Sequence, residues 1–507
     1  MAPLWERLER VPSFEHFMPH FASEQRQGTV TSAVLNLLST ILGGGILSIP
    51  FAFRRCGLVL GSLLLVLTAM ATDFTVFTLV SCSRRTGAHS FESVTALAFG
   101  RNAKLVSMGL VICVTYVPLI AYTILLRDLL SPVLEAFIGE ELSASSKDLM
   151  TSVLVLVVSP ACVMRSLGSL RFLFLLSVTA ISLLVVAVMV RSAGCLRGGG
   201  LSASPEEINL WPEDGWAGAL QGIPILVCAY VCHFNVLPVH GELQRPTRKR
   251  LHKMVHWTVA LVSVMYAAVG FSGYLYGVCS GNGVDDNILN DFGTDDALMN
   301  AGRLGLGVTL LVSFPLLVVP CRDTLVRCWW ECSGKLTCVR VCCVLPSALK
   351  LLPRPPTYML TDIVHAALPS PQPMQKDSVT TASLAGRARR RQGGGRGGGE
   401  EDGGAPQTTL RLRVLLTAAI LTSEAALAFN ISRVTDVWGL LGSSANTLVA
   451  FTIPCTAYLR IRKSRPRRWS RGFRKKKVAA VVVLLSSALA VVCTANNVYL
   501  MATRDSS

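Results

Sequence analysis

The chain has 507 residues, of which 51% are apolar and 16% charged, and its mean hydropathy is +0.49. A soluble domain carries about 25% charged residues, so this composition excludes an ordinary water-soluble globular fold and places the chain in a membrane. The net charge of +17 does not point to nucleic acid, because the excess sits in short connections beside apolar segments, where it fixes topology and meets anionic lipid.

Residues 1–29 form a polar tail with Glu6, Arg7, Glu9, Arg10 and Glu15. It has no short apolar core followed by a small-residue cleavage site, so it is no signal peptide and is expected on the cytosolic side. Apolar segments of about 20 residues, the length that crosses the hydrocarbon core, then follow. They lie at 30–53, 57–81, 105–126, 149–164, 172–190, 216–239, 255–278, 304–321, 411–430, 434–459 and 478–501. These are spans 1 to 11. Spans 1–8 occupy 30–327, spans 9–11 occupy 410–501, and 502–507 is a short tail on the far side.

Span 1 reads SAVLNLLSTILGGGILSIPFAF from Ser32 to Phe53. Three consecutive glycines, Gly43 to Gly45, each disfavour a helix interior by about 1 kcal/mol relative to Ala. A break in mid-span is expected there. Unwound backbone survives at membrane depth only where it is packed in protein or lines a cavity. Lys and Arg collect in alternate loops: at Arg84, Arg85, Arg101 and Lys104; at Arg165 and Arg171; from Arg245 to Lys253; and from Arg460 to Lys477. These loops are predicted to be cytosolic. The intervening loops are acidic, above all 279–302, with Arg54 and Arg55 as exceptions on the same side. Cys195 and Cys279 follow spans 5 and 7 on that non-cytosolic side, where an oxidising compartment permits a disulfide.

Span 6 reads GIPILVCAYVCHFNVLPVHGELQRP, with Pro224 early, Pro238 late, and His233 and Asn235 inside an apolar run. Interrupted segments at corresponding positions, first and sixth, point to an inverted-repeat transporter with its site between the two breaks. Residues 328–409 begin with five cysteines that lack paired CxxC spacing and end in RARRRQGGGRGGGEEDGG. A segment of this composition is expected to be a disordered cytosolic linker. No metal, nucleophile or phosphate-loop motif appears, so neither an enzyme nor a cofactor is expected.

Several stretches carry a family resemblance. They are Asn36 with GGGILSIPFAF, ATDF around Asp73, VCHFNVLPVHGELQRPT, GRLGLGVTLLVSFP leading to Arg322, and VWGLLGSSANT from Val437 to Thr447. On these the chain resembles the amino acid/auxin permease family, most closely its sodium-coupled neutral amino acid transporter branch, which resembles solute carrier family 38. The resemblance implies an all-α, LeuT-like fold of 5+5 inverted repeats with an eleventh helix. It also implies secondary active transport of neutral amino acids by alternating access, as a monomer in the lipid bilayer.

The chemistry then falls on the breaks. Free amides around Gly43, Gly44 and Gly45 suit the substrate carboxylate, and carbonyls near Cys232, His233 and Phe234 suit its ammonium, with Thr40 and Ile46 completing the expected set. In sodium-using relatives an Asn in span 1 and a Thr in span 8 are associated with the cation; alignment puts Ser39 and Ser313 there, with the Leu42 carbonyl in support. The hydroxyl is kept and the Asn amide is lost, so Na+ and H+ both stay open. Among intramembrane ionisable residues, Asp73, His233, Glu424 and Asp436, Glu424 is the proton-coupling candidate, since a charge at membrane depth costs at least ~2.5 kcal/mol. The alternative is an amino acid sensor that signals through its cytosolic loop. Plasma and endolysosomal or vacuolar membranes both suit the chain.

Overall fold

A computed structural model describes residues 26, 28–164, 171–198, 208–281, 283–332, 410–431, 433–462 and 471–504. The linker expected after Cys332 lies outside the described residues. Each apolar segment is helical, and most helices overrun the segment that announced them because they continue into the polar interface. Span 2 is Leu58–Thr86, span 3 Arg101–Ile138, span 4 Ala144–Cys162, span 5 Arg171–Arg197, span 7 Arg248–Ser280, span 8 Ala297–Cys332, span 9 Leu410–Ala428 and span 11 Arg471–Arg504. A short helix the hydropathy pattern missed, Phe91–Phe99, is capped by Ser90 and packs on span 3. Eight described helices are long and apolar enough to cross a membrane, and nine when the bent halves of span 1 count as one. This is a multi-pass membrane protein.

Spans 1, 6 and 10 are discontinuous. Span 1 is split into Val30–Ile41 (1a) and Ile49–Cys56 (1b), joined by Leu42, Gly43 and a 3-10 turn, with a 54° bend. Span 6 is split into Gly215–Ala229 (6a) and His233–Glu242 (6b). Span 10 passes from Val434–Leu441 through two π-helical turns, Gly442–Asn446 and Leu448–Thr452, into Ile453–Ile461.

The packing repeats with a period of five spans. Span 1 lies on span 5 as span 6 lies on span 10; span 1 meets span 7 as span 6 meets span 2; and span 2 meets span 10 as span 7 meets span 5. Span 3 packs on spans 9 and 10 as span 8 packs on spans 4 and 5, and spans 3 and 8 share the most extensive contact. That exchange symmetry is the LeuT-like 5+5 repeat. Span 11 lies outside it, against 6a and span 10, with Leu484 and Val491 about 70% exposed.

Glycines set how close 1b and 6a come. A β-carbon at Gly222 would lie 2.4 Å from Cys56 Sγ and 2.9 Å from the Ala52 carbonyl oxygen, and one at Gly218 would lie 2.8 Å from the Arg55 carbonyl oxygen. So 6a meets 1b backbone to backbone, the small-residue packing of membrane helices. Arg54 and Arg55, the exceptions to the charge pattern, are accounted for here. Arg55 pairs with Asp214 at 2.6 Å and donates to Gln221, while Arg54 donates to the Val284 carbonyl at 2.9 Å. At the same end, Cys195 and Cys279 are bridged (S–S 2.03 Å), joining spans 5 and 7.

Candidate substrate site

The two breaks face one cavity. It is bounded by Thr40, Ile41, Gly43 and Gly45 of span 1 and by Cys228, Ala229, Val231 and Phe234 of span 6. Span 3 contributes Val114, Pro118 and Tyr122, span 8 Leu317, and span 10 Trp438 and Asn446. Its room is small, about 50 Å³ for the centre of a water molecule, and part of it is continuous with solvent.

On the span 1 side, Gly43 donates to the Ile41 carbonyl at 2.9 Å, but no backbone carbonyl among the described residues accepts from the Gly44 or Gly45 amide. None of the three glycines has positive φ, so what they supply is room. A β-carbon at Gly43 would fall 2.2 Å from Tyr122 Oη, one at Gly44 2.2 Å from Leu125 Cδ1, while one at Gly45 would meet only Ala229 at 3.7 Å. Two of the glycines therefore let span 3 reach the unwound strand.

The span 6 side departs from the expected chemistry. The Cys232 carbonyl accepts from the Asn235 and Val236 amides at 2.9 and 3.1 Å; it starts helix 6b and is already satisfied. His233 is fully buried and directs Nε2 to Thr75 Oγ1 of span 2 at 2.9 Å. Of the residues expected to bind substrate, Thr40, Gly43, Gly45 and Phe234 line the cavity. Gly44 sits against span 3, and Ile46, Cys232 and His233 lie outside the lining.

Sequence reasoning missed the side chains that hold the breaks. Tyr266 of span 7 is completely buried, with its hydroxyl 2.9 Å from the Ile41 carbonyl and 2.8 Å from the Ala229 carbonyl, so one phenol serves both breaks. Asn235 donates to Asn36 Oδ1 at 3.1 Å and to Thr40 Oγ1 at 2.8 Å. Nothing in periodicity singles out Tyr122 or Tyr266 among the buried aromatics. Asn36 and Asn235 did carry a signal, as amides inside apolar runs.

The coupling candidates lie apart from the cavity lining. Ser39 and Ser313 are buried, and each hydroxyl donates to a carbonyl of its own helix, Asn36 at 3.0 Å and Thr309 at 2.8 Å. Glu424 of span 9 is fully buried; Oε2 accepts from Thr123 of span 3 at 2.8 Å, and Oε1 has no partner among the described residues. Two turns along span 9, Thr417 faces Arg322 of span 8, which also donates to the Cys162 carbonyl at 2.9 Å. Asp73 pairs with His256 of span 7 at 2.7 Å.

Residues 26–500 match the family described as transmembrane amino acid transporter protein. The chain belongs to this family. It is 29% identical over 335 residues to the amino acid transporter AVT6E of Arabidopsis thaliana, covering 63% of this chain and 67% of that one. It is 28% identical over 304 residues to a provisionally named sodium-coupled neutral amino acid transporter 11 of Danio rerio, covering 59% of this chain and 65% of the relative. The chain thus spans about two thirds of the length of these family members. A solved structure of MhsT in complex with L-phenylalanine aligns with a TM-score of 0.48 at 13% identity, over 92% of this chain and 99% of the other.

Proposed function

We propose that this chain is a secondary active transporter that moves neutral amino acids across a membrane by alternating access, with its amino terminus in the cytosol. The observation that carries this reading is the unwound strand at Gly43 to Gly45, of which Gly43 and Gly45 line a cavity shared with the span 6 break and the Gly45 amide has no backbone acceptor among the described residues. Backbone N–H groups at the start of a half-helix suit a carboxylate. Family relatives are named for amino acid transport, which supports the substrate class.

For coupling, the reading favours protons over sodium. A buried carboxyl with one unpartnered oxygen, as in Glu424, suits a group that carries a proton, because an isolated carboxylate at that depth is costly. A sodium site at Ser39, the Leu42 carbonyl and Ser313 needs both hydroxyl oxygens to turn their lone pairs toward the ion and to recruit further ligands. The test is radiolabelled uptake of L-glutamine and L-leucine into proteoliposomes, with Na+ and pH gradients imposed separately. Accumulation that follows the pH gradient and is lost in Glu424→Gln supports the reading. Steep Na+ dependence lost in Ser313→Ala transfers coupling to the serine site. Saturable binding with no accumulation under either gradient sinks transport and leaves the sensor.

A further inference from the structure

We infer that Asn446 of span 10 is a specificity residue. Its carboxamide oxygen accepts from the side chain of the substrate, selecting neutral amino acids whose side chain ends in an N–H or O–H donor. This rests on the amino acid reading of the cavity given above and names the substrate class within it.

The argument begins with the backbone. Span 10 changes register at Gly442, where a β-carbon would lie 2.0 Å from the Pro224 carbonyl oxygen of 6a. The π-helical turn Gly442–Asn446 begins there; such turns re-aim side chains and recur at functional positions. This one brings Asn446 to the cavity wall, although the residue is only 2% exposed.

Polar side-chain atoms at the cavity are few, and among the described residues only one acceptor on the span 10 side is buried without a partner. The Thr40 hydroxyl donates to the Asn36 carbonyl at 2.9 Å and accepts from Asn235. The Tyr122 hydroxyl lies at the span 1 end of the cavity, against Gly43. Cys228 Sγ accepts from Asn446 Nδ2 at 2.9 Å, which fixes the carboxamide. Two atoms are buried with no partner among the described residues, the donor Trp438 Nε1 and the acceptor Asn446 Oδ1.

An unpaired buried acceptor is a standing cost that a ligand donor removes. The α-carboxylate is assigned to the Gly43–Gly45 strand, so the donor facing span 10 comes from the substrate side chain. The other walls there are Val114, Pro118 and Leu317, which fit an aliphatic stem, and Trp438, whose unpartnered indole N–H is a donor and offers no acceptor to the end of that stem. A side-chain amide or hydroxyl completes the site, whereas an apolar end of equal size leaves Oδ1 unpaired. Sites that hydrogen-bond a substrate group reject the analogue that lacks it more strongly than they distinguish a methylene.

The experiment is competition between two near-isosteric pairs, L-glutamine against L-methionine and L-asparagine against L-leucine, on the full chain in proteoliposomes. Wild type is expected to prefer the amide member of each pair by about tenfold or more. Asn446→Leu should cut that ratio about tenfold, while Asn446→Ser, which keeps a hydroxyl, should restore part of it. A wild type that takes all four without preference overturns the inference and leaves the transport reading intact, even if no variant folds. An equal loss for all four in Asn446→Leu also overturns it, because Asn446 would then serve the common ammonium. A wild type that takes none of the four removes the amino acid reading itself.

Discussion

Spans 1 and 6 are each cut in two, and their halves, outer and inner in the orientation proposed above, are held together by opposite means. Outer halves 1b and 6a meet through Gly218 and Gly222, with backbone atoms at distances no side chain fits. Inner halves 1a and 6b meet through side-chain amides, Asn235 reaching Asn36 and Thr40. A strap ahead of 1a adds to them: the Gly28 amide donates to the Glu242 carbonyl and its own carbonyl accepts from Gln244, both at 2.8 Å, and Arg26 donates to the His240 carbonyl at 3.0 Å. Close apolar packing is lost all at once when disturbed. Hydrogen bonds between half-buried groups contribute only about 1 kcal/mol each. Under the alternating access proposed above, the inner joint is the one expected to part.

The largest expected effect comes from forcing the outer joint. Gly222→Val puts a branched side chain into Cys56 and the Ala52 carbonyl, and overpacking of this kind costs about 1–3 kcal/mol or more. Little monodisperse protein should survive size-exclusion chromatography. Asn235→Ala, at the inner joint, should behave as wild type on the column. Equal recovery of the two variants would break the comparison.

Next come the glycines of the break itself, where the structure ranks three residues that look alike in sequence. Gly43→Ala drives a methyl into the Tyr122 hydroxyl and Gly44→Val drives one into Leu125, whereas Gly45→Ala has room. Binding of substrate should fall at least about tenfold in the first two, the equivalent of one charge-assisted hydrogen bond of about 1.5–3 kcal/mol. In Gly45→Ala it should change little. A uniform response would mean that glycine serves backbone freedom here rather than the approach of span 3.

The inner joint gives a smaller effect. Arg26→Ala and Asn235→Ala each remove contacts near 1 kcal/mol, so amide exchange in 30–41 should speed up about fivefold. Exchange in 49–56 should stay at the wild-type rate, and acceleration in both halves would show that span 1 moves as one body.

Composition and the two helix breakers made the broad architecture legible, because the bilayer admits so few solutions for backbone. Gly43 to Gly45 marked the first break, and Pro224 and Pro238 with His233 and Asn235 marked the second. The residues that close the site were less legible. Tyr122, Tyr266 and Asn446 sit in apolar helices where an aromatic or a lone amide is common, and their roles arise from which span faces which. His233 was placed near the substrate by proximity in sequence, yet the start of helix 6b turns it toward Thr75. Helix 6b also takes the Cys232 carbonyl for its own first turn. A break exposes some backbone groups and immediately re-uses others, and sequence does not say which.

The smallest effect belongs to the loop capping the outer joint. Asp286 lies 3.4 Å from the Thr435 hydroxyl at the head of span 10, and Asp291 accepts from the Asp285 amide at 3.2 Å. Burial raises the Asp291 carboxyl to about 7, and burial together with the neighbouring Asp285 raises Asp286 to about 6. An unfolded Asp titrates near 3.9, so the folded loop binds protons more tightly than the unfolded one. Its stability is then greatest below about pH 4 and is lost as pH rises through 6 and 7. Amide exchange in 284–292, corrected for the intrinsic pH dependence, should be faster at pH 8 than at pH 5.5. Asp291→Asn keeps an acceptor for the Asp285 amide but does not titrate, and it should flatten much of that slope. A wild-type loop with no pH response across this range would show that its carboxylates are solvated, and the outer end would then be held by glycine packing, the Arg54 and Arg55 contacts and the Cys195–Cys279 bridge.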